Sequence, residues 1–179
     1  MNLYDFMDKG SILLNYELKS KKSVLELISE TMADITGTNI DDIFTKLYER
    51  EKLGTTAFGN GIAIPHARID KLINAKIMVL KLKTPVNFES VDNKKVDIIF
   101  TLLVPDDESD KHVEVLAKIA SLLDNKEMRK KLRQAKNESD IISLLSDHLA
   151  RGSILNQYVS ESSDTFQWVA ITGSHSRLS

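Results

Sequence analysis

The sequence predicts an α/β fold, of the α+β kind, in which helices flank a mixed, twisted sheet. Residues 96–104 are almost continuously apolar, which is typical of a central strand covered on both faces. Residues 76–82 alternate polar and apolar side chains, as a half-buried strand does. Apolar residues recur at helical spacing before and after these strands, so helices are expected to pack against the sheet.

The N-terminal third of the chain predicts one strand and two helices. The short apolar run at residues 12–14 is the strand candidate. Ser23 is expected to cap the first helix and Gly37 to end it, because serine favours helix N-caps and glycine favours the position after a helix. Asn39 is expected to cap the second helix, which should end before Gly54.

The middle of the chain predicts short strands separated by turns. Residues 55–58 and 62–64 are strand candidates on either side of a Gly-Asn-Gly sequence at residues 59–61, which is a strong turn signal. Pro105 is expected to end the central strand, because proline has no backbone N–H to donate.

The last third of the chain is expected to be helical. Ser109 or Asp110 can cap the first of these helices. A short basic helix is predicted over residues 126–135, and a further helix over residues 139–149. Strands therefore occupy the middle of the chain, and helices its two ends.

Length and composition indicate one domain with an appendage. Residues 1–150 have the size of an ordinary domain. The composition changes after Gly152, and residues 153–179 are rich in serine without a clear period. Residues 151–179 are therefore interpreted as a C-terminal tail that is partly derived from an expression vector.

Charge and residue usage exclude several classes of protein. The net charge is -2, from 24 basic and 26 acidic residues, so generic nucleic-acid binding is not expected. The chain has no cysteine, which removes disulfide scaffolds, thiolate metal sites and cysteine nucleophiles. No apolar run approaches the roughly 20 residues of a spanning helix, so no membrane insertion is expected. The predicted location is the cytoplasm.

The residues that carry chemistry centre on His66. A short apolar strand leads to Pro65, which interrupts a strand's hydrogen-bond ladder, and His66 follows directly. His66 is therefore expected at a strand end, where its side chain meets solvent or a partner. Neutral imidazole is a nucleophile near physiological pH, provided that the attacking nitrogen is unprotonated and the other nitrogen has a fixed partner.

A phosphorylated histidine needs a cation or N–H donors nearby, and the sequence offers candidates for both. Arg50, at the C-terminal end of the second predicted helix, supplies a guanidinium fork. Thr55, Thr56 and the turn that contains Gly61 offer hydroxyls and a close backbone approach, so they are the predicted phosphate-binding residues. His112, near the start of a later helix, is the candidate for a second imidazole ring in the site.

These segments also resemble a known family. Residues 50–56 read REKLGTT and residues 59–66 read GNGIAIPH, with further matching segments between residues 85 and 105 and at His112. They are similar to the fructose/mannitol-type (type 2) EIIA domain of the phosphoenolpyruvate-dependent phosphotransferase system, and within it to the nitrogen-regulatory branch, EIIA-Ntr. The similarity covers residues 3–149.

The resemblance implies a fold, a reaction and partners. The fold would be that of the type-2 EIIA domain, a mixed twisted sheet flanked by helices. His66 would be the phosphorylated residue, Arg50 would help to neutralise the phosphoryl group, and His112 would line the same pocket. The donor would be a histidine-phosphorylated carrier of the HPr or NPr type, and the acceptor a regulated target protein or an EIIB domain. No metal or cofactor is implied. Many members have glycine after the active histidine, where this chain has Ala67.

Four functions are open at this point, and the first two, a phosphoryl carrier and a regulatory binding module, are compatible. The chain is predicted to be a phosphoryl carrier that acts as a nitrogen-type regulator, and added phosphate charge would then switch its binding to partner proteins. The alternative is a fructose- or mannitol-specific EIIA in sugar transport. A metallohydrolase using His66 and His112 is the remaining possibility, although the chain lacks a His-Glu-x-x-His motif.

Other charged segments are interpreted structurally. The basic residues between Lys126 and Lys136 are expected to form a solvated helix face rather than a nucleic-acid interface. The acidic run at residues 106–110 suits a helix N-terminus better than a cation site. His148 and His175 are given no functional role.

Overall fold

The computed structural model describes residues 2–107 and 111–147 of the chain. In this part of the chain, five α-helices flank one mixed sheet of six strands, which confirms the predicted fold class. The strands are β1 Ile12–Tyr16, β2 Ala57–Gly59, β3 Ile62–Ala63, β4 His66–Ile69, β5 Lys76–Val86 and β6 Val96–Pro105. The helices are α1 Lys21–Thr36, α2 Ile40–Leu53, α3 Lys111–Asp124, α4 Lys126–Gln134 and α5 Glu138–Asp147, preceded by a short 3-10 helix at Leu3–Phe6.

The sheet is mixed because its strands run both parallel and antiparallel to one another. The strand order is β1-β5-β6-β3-β2, and β4 also pairs with β6. β5 is antiparallel to β6, whereas β3 and β4 are both parallel to β6. Ala63 pairs with Ile99 and His66 pairs with Leu102, so β3 and β4 are successive segments along the same edge of β6. Between them, the Pro65 carbonyl accepts a hydrogen bond from Leu102 N at 3.1 Å, so the proline interrupts the ladder only on its N–H side.

Each face of the sheet carries its own hydrophobic core. Ile28 of α1 and Leu47 of α2 belong to one core, whereas Leu116 of α3 belongs to the other. Successive residues of β6 enter opposite cores, as Ile99 and Phe100 do. Both faces of β6 are therefore covered, which explains why this strand is apolar almost throughout.

Polar side chains and glycines define the ends of the first two helices. Ser20 is the N-cap of α1: its Oγ accepts from Ser23 N at 3.0 Å, and Ser23 Oγ accepts from Ser20 N at 3.1 Å. The prediction of Ser23 as the cap is wrong, because Ser20 takes the extended cap conformation and Ser23 is the reciprocal partner three residues later. The cap at Asn39 and the ends at Gly37 and Gly54 are confirmed.

Strand boundaries differ more from the prediction than helix boundaries do. β4 was not predicted at all, because four residues directly after a proline are too few to show a period. β5 continues to Val86, beyond the predicted end at residue 82. The predicted basic helix is confirmed as α4, with Ala135 as its C-cap.

Several predictions lie outside the described residues. They concern the helix cap at Ser109 or Asp110, the end of the last helix at residue 149, the histidines at 148 and 175, and the boundary between residues 150 and 151. Among the helices that the structure describes, none combines the length and apolar character that crossing a membrane requires.

Candidate functional site

His66 opens β4 and is buried, with only 1% of its surface exposed. The expectation that its side chain meets solvent is therefore wrong. The chain does not leave the sheet at Pro65 but continues as β4 beside β6, and α2 packs against β4. His66 therefore lies in a strand that has neighbours on both an edge and a face, and not at an open end of the sheet.

The protonation of the His66 ring follows from one hydrogen bond. Its Nδ1 lies 2.6 Å from the carbonyl oxygen of Ile64. A carbonyl oxygen can only accept a hydrogen bond, so Nδ1 must carry the proton and donate. Nε2 is then the unprotonated nitrogen, and this is the tautomer that nucleophilic attack by Nε2 requires.

The His66 ring is also held in its neutral form. The pKa of His66 is lowered from 6.5 to about 3, chiefly by burial and then by the positive charge of Arg50, while the hydrogen bond to Ile64 acts in the opposite direction. Burial disfavours the charged imidazolium because it removes the ring from water, and a nearby cation adds repulsion. His66 is therefore a neutral imidazole throughout the physiological pH range.

Arg50 lies in the last turn of α2 and is close enough to His66 to affect its pKa. Its Nη1 donates to the carbonyl oxygen of Gly54 at 2.8 Å. Its Nε is buried and has no hydrogen-bond partner within the described residues. Burial lowers the pKa of Arg50, and the charge of Glu51 partly opposes this effect. A buried guanidinium N–H without an acceptor is unfavourable, and an anion placed beside it would relieve that cost.

Glu51 is a site residue that the sequence analysis missed. It is buried, and both carboxylate oxygens accept from Thr56 N at 3.2 Å. Its Oε1 also accepts from the Thr56 hydroxyl, and its Oε2 lies 3.1 Å from Lys21 Nζ. No signal in the sequence separates this glutamate from the other charged residues of α2, because its cationic partner is 30 positions away.

A chain of hydrogen bonds connects Glu51 to the His66 ring. Glu51 holds the backbone of Thr56, and Thr56 O accepts from Ile64 N at 3.0 Å. Ile64 O in turn accepts from His66 Nδ1. Glu51 therefore helps to fix the carbonyl group that determines the tautomer of His66.

The predicted phosphate-binding residues have other contacts. The Thr55 hydroxyl donates to Phe88 O at 2.5 Å and accepts from Ala57 N at 3.1 Å, while the Thr56 hydroxyl donates to Glu51. Gly61 adopts a φ of 79°, and a Cβ added there would lie 2.5 Å from Arg133 Nη2. The roles of Thr55, Thr56 and Gly61 toward phosphate stay predictions.

His112 lies in the first turn of α3 and is buried. Its Nδ1 is 3.6 Å from Asp107 Oδ1, so the acidic segment before α3 supplies a carboxylate to this ring. The shared pocket with His66 stays a prediction. Within residues 2–107 and 111–147, no three His, Asp or Glu side chains are grouped as a metal ion would require.

Comparison with known proteins adds an independent line of observation. The family model described as "Phosphoenolpyruvate-dependent sugar phosphotransferase system, EIIA 2" matches residues 5–148. The chain is 38% identical to the nitrogen regulatory protein of Bradyrhizobium diazoefficiens, over 82% of this chain and 95% of that protein. It is 32% identical to the fructose-specific EIIABC component of Bacillus subtilis, over 83% of this chain but only 24% of that protein.

Solved structures show the same likeness. The nitrogen regulatory protein IIA-Ntr of Neisseria meningitidis superposes with a TM-score of 0.76 at 33% identity, covering 79% of this chain and 97% of that one. The mannitol IIA of Escherichia coli superposes with a TM-score of 0.66 at 16% identity, covering 77% and 97%, which is a likeness of fold alone. The expected fold and the expected resemblance to nitrogen-regulatory proteins are both confirmed.

Proposed function

The chain belongs to the type-2 EIIA family of the phosphoenolpyruvate-dependent phosphotransferase system, and on this premise we propose that His66 accepts the phosphoryl group through Nε2. Members of this family are phosphotransfer components of that system. The observation that carries the proposal is the pairing of a neutral imidazole, whose proton is fixed on Nδ1, with a half-buried arginine whose buried Nε–H lacks an acceptor within the described residues.

The transfer step balances with the groups present. The lone pair of His66 Nε2 attacks the phosphorus of a phosphohistidine on an HPr- or NPr-type donor. The new N–P bond forms as the donor's N–P bond breaks, and the departing imidazole keeps that electron pair. The His66 ring gains positive character while Nδ1 keeps its proton, and the Ile64 carbonyl at 2.6 Å stabilises that charge.

Arg50 would stabilise the oxygens of the transferring group. Its charge already acts on His66, and its Nε–H is directed to no acceptor among the described residues. A guanidinium binds phosphoryl oxygens through paired N–H groups, and the interaction is stronger where water is excluded. Because His66 Nε2 is itself buried, donor docking must uncover this nitrogen before transfer.

The biological output is best explained as regulation of partner proteins. The chain spans 95% of the length of a nitrogen regulatory protein at 38% identity. Phosphorylation adds about two negative charges, which is enough to switch an electrostatic interface. Under this proposal, the phosphorylated and unphosphorylated forms bind different target proteins or bind the same target with different affinity.

Sugar transport is the second candidate, since the fructose-specific relative is 32% identical to this chain. In that case the phosphoryl group would pass from His66 to an EIIB domain. A solved complex joins the mannitol IIA to its phosphorylated IIB partner in Escherichia coli. Transfer from the phosphorylated chain to a fructose or mannitol EIIB would support this candidate, whereas phosphorylation-dependent capture of a target protein would support regulation.

The acceptor is tested by phosphorylation from phosphoenolpyruvate, with the first enzyme of the system and an HPr- or NPr-type carrier. We expect one acid-labile phosphoryl group on the wild-type chain and none on His66→Ala. His175→Ala, a histidine in the predicted tail, is the matched control and should be labelled like the wild type. Full labelling of His66→Ala would contradict the assignment.

A further inference from the structure

A concave surface lies against α4, away from His66, and it is positively charged. It has a volume of about 810 Å³ and is lined by six cationic side chains against the carboxylates of Asp97 and Glu127. The cationic residues are Lys94, Lys95, Lys126, Arg129, Lys130 and Arg133, and this surface is called the basic cleft below. Acidic residues slightly outnumber basic ones in the whole chain, at 26 to 24, whereas six basic side chains meet only two acidic ones here.

The floor of the basic cleft is rigid. Arg133 Nε and Nη2 donate to Asp97 at 3.0 and 2.9 Å, and Nη2 also donates to Asn60 O at 2.5 Å. Gly61 permits this approach, because a Cβ there would lie 2.5 Å from Arg133 Nη2. The opposite side of α4 is anchored by the buried side chains of Met128 and Leu132. The guanidinium is therefore held in place before any ligand arrives.

The lysines of the basic cleft have fewer internal partners than its arginines. Arg129 Nη1 donates to the carbonyl oxygens of Leu123 and Asp124, at 3.1 and 2.8 Å. In the described part of the chain, neither Lys95, Lys126 nor Lys130 has a carboxylate oxygen within 4.0 Å of its ammonium.

The spacing of the cations on α4 is unfavourable without a counter-ion. Lys126 and Lys130 are four positions apart, and so are Arg129 and Arg133. Like charges at this spacing repel one another on a helix face. Lys94 and Lys95, which precede β6, bring more positive charge to the same concavity. Exposure to solvent accounts for the basic residues of α4. It does not account for the lysines before β6 that line the same cleft.

We propose that the basic cleft binds a small polyphosphate anion, which several lysine ammoniums contact at once. Lysine acts as a flexible point charge toward phosphate, so a ligand with several linked phosphates suits four lysines around a fixed arginine. No aromatic side chain lines the described cleft, so no base is stacked and the phosphate chain is the recognised part. Neither His66 nor Arg50 lines it, so this site is separate from the proposed phosphorylation site.

The proposal is tested by isothermal titration calorimetry of the full chain with inorganic tripolyphosphate, orthophosphate and a nucleoside triphosphate. Tripolyphosphate should bind more tightly than orthophosphate, and its affinity should fall as salt is raised. The variant Lys95→Gln/Lys126→Gln/Lys130→Gln should lose about tenfold in affinity, the size expected for three exposed charge contacts. The matched control is Lys9→Gln/Lys19→Gln/Lys22→Gln, which removes three exposed lysines outside the cleft and should bind like the wild type.

Further arms identify the ligand class and separate the two sites. If a nucleoside triphosphate binds as tightly as tripolyphosphate, the cleft recognises the phosphate chain whether it is free or part of a nucleotide. Arg50→Ala should bind tripolyphosphate normally, and this result does not depend on phosphorylation of His66. The proposal would be overturned if the lysine variant bound normally, if Arg50→Ala abolished binding, or if a single-stranded oligonucleotide bound more tightly than tripolyphosphate.

Discussion

The His66 site, formed by His66, Arg50, Glu51 and Thr56, differs from the basic cleft in the number of its cations and in their exposure to water. In the first, a single half-buried arginine, Arg50, has a buried Nε and lowers the pKa of its neighbour His66. In the second, six cations share an open concavity of about 810 Å³. Burial strengthens a single charge, whereas exposed charges are screened and act only in number. Reactions at His66 should therefore depend on single residues, and binding in the cleft on salt and on total charge.

The largest expected effect is on stability, at Glu51. Glu51→Ala should lower the free energy of unfolding by about 3–5 kcal/mol, because it takes the buried carboxylate away from Lys21 and removes the acceptor for Thr56. Glu51→Gln keeps an acceptor and should cost only about 1–2 kcal/mol. Urea unfolding measures both, with the exposed Glu49→Ala as the control. Equal free energies of unfolding for Glu51→Ala and Glu49→Ala would contradict the expected difference between a buried and an exposed carboxylate.

Arg50 should show the next largest effect, on the rate of phosphorylation. Arg50→Met removes the guanidinium and should slow phosphoryl transfer to His66 by about 100-fold or more, as loss of one preorganised donor does in other enzymes. The pKa of His66 should also rise, because the charge of Arg50 lowers it. Rapid-quench phosphorylation and NMR titration of the ring measure the two effects. Lys52→Met is the neighbouring exposed control, and an unchanged rate in Arg50→Met would contradict the role of Arg50.

The pH dependence of the free energy of unfolding tests whether burial keeps the His66 ring neutral. The pKa of His66 is about 3 in the folded chain and near 6.5 when unfolded, so below pH 6.5 the unfolded state binds the extra proton. The free energy of unfolding should therefore keep its full value above pH 6.5 and fall as the pH drops toward 3. At pH 5 the loss should be about 2 kcal/mol. His66→Gln should lack this part of the slope. Identical slopes in urea unfolding of both proteins would show that the ring is not held neutral.

The smallest effect is expected at the floor of the basic cleft. Gly61→Ala places a Cβ near Arg133 and Asp97 at a φ of 79°, and should cost about 1–2 kcal/mol in the free energy of unfolding. Arg133 should shift, so tripolyphosphate binding should weaken as well. Urea unfolding and calorimetric titration with tripolyphosphate measure the two effects. Gly10→Ala is the control for positive φ alone, because nothing lies within 4 Å of a Cβ at that position.

Local signals predicted much of the fold correctly. β6 is apolar almost throughout because both of its faces are covered, and that pattern is visible without coordinates. Asn39 and Gly37 act as helix ends through bonds within a few residues, so their roles also follow from the sequence. Ser20 and Ser23 each accept a hydrogen bond from the backbone N–H of the other. The sequence alone therefore does not distinguish which serine is the cap.

Non-local contacts account for what the sequence did not predict. Pro65 indicated the end of a strand, yet its carbonyl accepts from Leu102 in β6 and the chain continues as β4, which buries His66. Glu51 is anchored by Lys21 from another helix. The basic cleft depends on lysines before β6 that meet those of α4 only in the folded chain. The candidate acceptor histidine could be chosen from the local motif, but its surroundings could not be predicted.

The most direct test of the account is the position of the phosphoryl group on the His66 ring. The chain, labelled with ¹⁵N at histidine and phosphorylated by its donor, can be studied by NMR coupling between ³¹P and each ring nitrogen. The hydrogen bond from Nδ1 to Ile64 predicts coupling to Nε2 and a proton retained on Nδ1. Coupling to Nδ1 of His66, or to a nitrogen of His112 in place of His66, would contradict it.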